Sequence, residues 1–168
     1  MRQGLAAYRT TRAELAWPHW LALLADVYGQ RGQTQEGIAT VAEALAQVEK
    51  TGERWYEAEL YRLKGELLCQ QGAGQESTSE IRRAPSALRL PPVEVEECFH
   101  KAISVARRQH ARMWELRATV SLARLWQQQG KKDEARHMLA EIYSWFTEGF
   151  DTKDLQEAKA LLAELGER

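Results

Sequence analysis

Small residues recur along this chain at fixed intervals, and that periodicity restricts the fold more than any other feature. Ala25, Gly65, Ala123 and Ala163 are separated by 40, 58 and 40 positions. Gly4, Ala44 and Ala102 repeat the first two of these intervals, and the position 40 further on, held by Ile142, completes the same register. Both series therefore carry a period of 40 with one insertion of 18, which falls between Gly72 and Val95. A fixed period of this length marks a stacked array, in which no unit buries its apolar face alone.

The residues at the repeated positions explain the packing. A small side chain lets a neighbouring helix approach closely, and Tyr28, Leu68 and Trp126 in one series and Val41, Phe99 and Leu139 in the other are sized to fill the grooves between helices. Gly32, Gly72 and Gly130 each follow the small residue of a first helix by seven positions, as helix-ending glycines in a left-handed conformation do. Ala, Leu, Glu, Gln and Arg dominate between them and favour helix. No segment reads as a strand. The expected architecture is all-α, with antiparallel helix pairs along 1–168 and about eight helices in all. In order, 1–15 is the second helix of a truncated repeat, 17–51 a repeat, 53–110 a repeat with an inserted loop at 73–90, 112–147 a repeat, and 152–165 a capping helix with its N-cap at Asp151-Thr152. The capping helix presents Leu155, Ala158, Leu162 and Leu165 on one face.

Met1, Gly4 and Leu5 fall in register with Val41, Ala44 and Leu45, so the chain is expected to open in mid-repeat as part of a longer protein. Its N-terminal face then lacks a cap, and an upstream domain or a second copy in a homodimer is the expected cover. The insertion is rich in Gly, Ser, Thr and Gln and is expected to be a mobile loop, with Arg82, Arg83 and Arg89 suited to a docking tether as the other reading.

The pattern resembles the tetratricopeptide repeat over nearly the whole chain, and in its long period it is similar to the relatives in kinesin light chain and in large bacterial regulators. The resemblance implies a right-handed superhelix with a concave groove lined by the first helices. Projected onto this sequence, the groove side chains are His19, Asp26 and Gln30, then Glu59, Arg62, Glu66 and Gln70, then Arg117, Arg124, Gln127 and Gln128. They form a polar surface, acidic in the middle and basic later, suited to an extended peptide of mixed charge. Gly52 to Glu66, Leu122 to Lys131 and Trp145 to Thr152 are further similar to the C-terminal repeat region of bacterial proteins that join a cyclase, kinase or DNA-binding domain to a signalling ATPase. That resemblance implies a regulatory arm or scaffold binding a protein, a peptide or the upstream domains of its own polypeptide. The alternative it allows is a small-molecule sensor, for which Trp17, Trp55 and Trp114 near the starts of the first helices are the candidate pocket.

Catalytic chemistry finds no support. No glycine-rich phosphate loop is present, and the histidines His19, His100, His110 and His137 form no His-Glu-x-x-His set. His137 has Asp133 and Glu141 one turn to either side, which reads as a helix face and not as a metal site. The expectation is no enzyme, no metal and no cofactor. Cys69 and Cys98 are expected as free thiols packed as small hydrophobes. No apolar run reaches the roughly 18 residues of a membrane span, and no signal peptide opens the chain, so a cytoplasmic location is expected. Residues 99–137 carry nine Lys/Arg against three Asp/Glu, and 138–168 three against seven. A nucleic-acid partner for the basic stretch is the weaker reading beside solvated helix faces, since the whole chain has a net charge of −1.

Overall fold

The computed structural model describes residues 16–75 and 93–167. Among these residues every regular element is a helix: α1 (Trp17–Gln30), α2 (Thr34–Thr51), α3 (Glu57–Gln75), α4 (Val93–Arg108), α5 (Arg112–Gln128), α6 (Lys132–Tyr143) and α7 (Lys153–Gly166). The helix expected over 1–15, and with it the uncapped face, lies outside the described residues. Each helix packs on the next in sequence, α3 on α4 included. In addition α1 packs on α3, α3 on α5 and α5 on α7. The odd-numbered helices thus form one continuous layer, and α2, α4 and α6 lie behind it.

Close approach at the small residues holds these layers together. Ala25, Ala44, Ala102 and Ala123 are completely buried. Val41, Phe99 and Leu139 fill the space between helices and are buried to within one per cent. The ring of Phe99 lies directly over Gly65, where an added Cβ would stand 2.6 Å from Phe99 Cε1. The core runs as connected apolar clusters, one around Trp17, Val41, Tyr56 and Leu60, one around Val95, Phe99 and Leu122, and one around Leu116, Leu139, Leu155 and Leu161.

Three expected features are corrected. Gly72 does not end a helix: α3 continues to Gln75, so 73–75 of the expected loop are helical. Gly72 faces open space, and a single helical glycine costs only about 1 kcal/mol against alanine, too little to stop a helix with Gln71 and Ala73 beside it. The remainder of the insertion, 76–92, lies outside the described residues. Ala163 is exposed although it keeps the repeat register, because among the described residues no helix follows α7 to pack on it. Leu161 takes the buried position there, and Leu162 is only partly buried. Thr152 does precede α7, but its hydroxyl donates to the Gly149 carbonyl at 2.7 Å and accepts from no amide of the helix, so it gives no side-chain cap.

Three inter-helix turns share one backbone solution. The third residue after each helix end bonds back five positions: Gln33 N to Tyr28 O, Ala111 N to Ala106 O and Lys131 N to Trp126 O, each at 2.9 Å. This closure needs a left-handed residue in between, and Gly32 and Gly130 supply it with φ of 70° and 80°. The third turn uses His110 at φ 54°. A side chain in this region costs about 1 kcal/mol. His110→Gly is therefore expected to raise the stability by about 0.5–1 kcal/mol, measured as a higher urea midpoint with unchanged slope.

Cys69 and Cys98 are free thiols, Cys98 buried and Cys69 half-buried. Burial first, and the charge of Glu66 second, push the Cys69 thiol from 9.0 up to about 11. Because the folded value is the higher one, this group's contribution to stability is complete below pH 9 and is lost as the pH rises toward 11. At pH 8 the thiolate fraction falls about one hundredfold below that of an unburied cysteine. Alkylation of Cys69 by iodoacetamide, followed by mass spectrometry, is expected to slow accordingly and to accelerate on unfolding.

Candidate functional site

An open groove of about 460 Å³ runs across the layer of odd-numbered helices. Residues at helical spacing build it, because side chains three or four positions apart share a face. Helix α1 contributes Asp26 and Gln30, α3 contributes Arg62 and Glu66, and α5 contributes Arg117, Val120, Ser121 and Arg124. Lys153, Asp154 and Glu157 come from α7.

The floor of the groove is an ion-pair network anchored on a buried carboxylate. Glu59 is only 3% exposed. It accepts two bonds from Arg62, Nε to Oε2 at 2.8 Å and Nη2 to Oε1 at 2.6 Å. Arg117 Nη2 reaches the same Oε1 at 3.0 Å, tying α5 to α3. Arg62 Nη1 also donates to Glu66, whose carboxylate accepts from Ser121 Oγ at 2.9 Å. Arg117 continues to Asp154 at 3.6 Å and Arg124 to Glu157 at 3.1 Å, so the network crosses to α7. Burial works against the Arg62 charge, but the bonds and charges of Glu59 and Glu66 outweigh it and hold its pKa above the ordinary value. A buried guanidinium of this kind stays charged and fixed, which suits a rigid binding floor better than proton transfer.

Of the groove residues expected from the sequence, Asp26, Gln30, Arg62, Glu66, Arg117 and Arg124 line this space together. Glu59 lies beneath it, covered by the two arginines. Gln70 and Gln128 are exposed but outside the lining, and Gln127 turns to Glu164 at 3.4 Å. His19 is elsewhere: its ring meets that of Tyr56 edge-on with centres 4.6 Å apart and lies tilted 5.5 Å from that of Trp55. The cations of this surface are paired: Arg62, Arg117, Arg124 and Lys153 each face a carboxylate. Ser121 and the α7 residues were missed in the sequence. The signal was there: Glu157 stands 40 positions after Arg117, so the same register carried into the last helix reaches it.

Around His19 the structure gathers a second set of side chains. Trp55 meets Tyr56, and Tyr56 meets Trp114, with ring centres 5.1 Å apart in both pairs. Trp17 belongs to the same apolar cluster and is buried, whereas Trp55 is 47% exposed. The Trp55 indole donates to Glu53 at 3.0 Å, and Glu53 also accepts the Ala16 amide at 2.9 Å. His19 Nδ1 is buried and has no hydrogen-bond partner among the described residues.

Among the described residues no group of His, Cys, Asp or Glu is gathered as a metal site, and His137 with its acidic neighbours lies on the exposed face of α6. No described helix is long and apolar enough to cross a membrane. Compared with known proteins, the chain matches no protein-family model and no curated protein.

Proposed function

We propose that this chain is a tetratricopeptide-type array acting as a non-catalytic protein-interaction scaffold, the regulatory arm of a larger bacterial signalling protein in the cytoplasm. The observation that carries this reading is the groove: four successive odd-numbered helices each contribute polar side chains to one open, pre-formed surface. The charges of its floor, Glu59, Arg62, Glu66 and Arg117, are fixed by mutual pairing before any partner arrives, which lowers the ordering cost of binding. An extended segment, from another protein or from upstream in the same polypeptide, is the occupant that fits a surface of this kind.

The test is capture on the immobilised chain beside an Asp26→Arg/Arg124→Glu variant. Both positions are at the rim and leave the buried Glu59–Arg62 pair intact. Partners retained by the native chain and lost by a folded variant support the scaffold, and partners retained equally by both refute a groove site.

The aromatic set favours one second reading, a small-molecule sensor. Trp55 is half exposed beside a histidine nitrogen that has no hydrogen-bond partner among the described residues, which is the mixture of apolar wall and polar anchor that small ligands use. Loss of ligand-induced tryptophan fluorescence change in Trp55→Ala, with the groove variant unaffected, would move the site there.

A further inference from the structure

The groove carries separated charges along its length. On the α1–α3 side, the lining carboxylates Asp26 and Glu66 stand against Arg62 alone, and Glu59 beneath already takes two of that guanidinium's bonds. Among the described residues no lysine or arginine pairs with Asp26, whose carboxylate accepts only from Gln30 at 2.8 Å. On the α5–α7 side the balance turns over. Arg124 and Lys153 share the single carboxylate of Glu157, at 3.1 and 3.6 Å, and both are at least half exposed. Arg117 is already held between Glu59 and Asp154. The accessible charge is therefore negative at one end and positive at the other.

We propose that the groove selects one end-to-end orientation of a dipolar peptide, with a basic side chain at Asp26 and Glu66 and an acidic side chain or terminal carboxylate at Arg124 and Lys153. This rests on the scaffold reading and specifies its partner. The separation follows from the packing. Each helix-to-helix step is about 8–10 Å, and two steps separate the middle of the α1–α3 pair from the middle of the α5–α7 pair. The span of about 16–20 Å corresponds to five or six residues of extended peptide at about 3.3 Å each. A ligand of one sign meets repulsion at one end whatever its register, and like charges brought together penalise wrong partners more than matched ones reward the right one.

The experiment selects from a displayed library of random peptides about twelve residues long, enough to overfill the span, on the native chain and on Asp26→Lys/Arg124→Glu. The expected outcome is enrichment of peptides with basic and acidic residues five or six positions apart in one constant order. In the variant that order is reversed, with at least a tenfold exchange in affinity between a selected peptide and its charge-swapped counterpart. Selected peptides that depend on groove residues but show no charge order overturn the dipolar ligand while leaving the scaffold standing. A native chain that enriches no peptide overturns both. Circular dichroism of the variant guards against loss of fold, and Asp26→Asn, which removes one charge only, is expected to weaken the selected peptide about tenfold by itself.

Discussion

Replacing Glu59 by leucine is expected to lower the stability by about 3–5 kcal/mol, a large part of what holds a domain of this size together. The reason is what the substitution leaves behind. Arg62 is 8% exposed and has two of its three donor contacts to Glu59, and Arg117 loses its anchor on α3 at the same time. Glu66 alone then faces a guanidinium that burial already disfavours. The pair as a whole need not be stabilising, because well-packed apolar residues can replace a buried ion pair at little cost. Glu59→Leu/Arg62→Met is accordingly expected to be more stable than Glu59→Leu, although it carries one more change. Urea unfolding of the two single variants and the double variant gives the coupling energy, expected at about 1–3 kcal/mol. Additive losses, or a double variant weaker than Glu59→Leu, would mean that Arg62 finds other partners and that the network is not a unit. The same series separates stability from binding, since Asp26 and Arg124 at the rim are untouched.

The structure shows which layers of this organisation can be read from residue order. Positions decided by volume were legible: Ala25, Ala44, Ala102 and Ala123 sit at complete burial, where the 40-residue register puts small residues. A small side chain at a helix crossing has few substitutes, so it repeats visibly. The groove face was legible for a related reason, since Arg62 and Glu66 or Arg117 and Arg124 share a helix face by spacing alone. Spacing does not state the partner across the gap. That Arg117 turns to Glu59 and Asp154, and so ties charge across three helices, depends on the packing of α5 between α3 and α7. His19 misled because two helical turns before Asp26 is in phase with the groove, yet the aromatic rings of Trp55 and Tyr56 claim its side chain. His110 was invisible as a turn residue because the left-handed position it holds is filled by glycine in the two equivalent turns. Gly72 erred the other way, since a glycine stops a helix only where the chain also needs to turn.

Gly65 and Phe99 give the second large effect, and one with a change of sign. Phe99→Ala is expected to cost about 3–5 kcal/mol, because a ring that is 1% exposed leaves a cavity its neighbours cannot collapse into. In the native background Gly65→Ala is expected to be destabilising as well. Its methyl would stand 2.6–2.9 Å from three Phe99 ring carbons, and overpacking of this order costs about 1–3 kcal/mol. That outweighs the roughly 1 kcal/mol by which alanine is the better helix former. Once the ring is gone, the clash is gone and the helix preference remains. Gly65→Ala is therefore expected to raise the stability of Phe99→Ala by about 1 kcal/mol, and denaturant titration of the four proteins reads that reversal directly. Gly65→Ala harmless in the native background would show that Phe99 yields, and that glycine is not required for the approach of α4 to α3. The consequence for the groove follows from position. Gly65 lies between Arg62 and Glu66 on α3, so a backbone pushed away from α4 carries both side chains outward, toward the open groove. A Gly65→Ala variant that stays folded is then expected to lose peptide binding while a rim-neutral change such as Ala163→Ser keeps it, because the floor of the groove takes its position from the contact behind it.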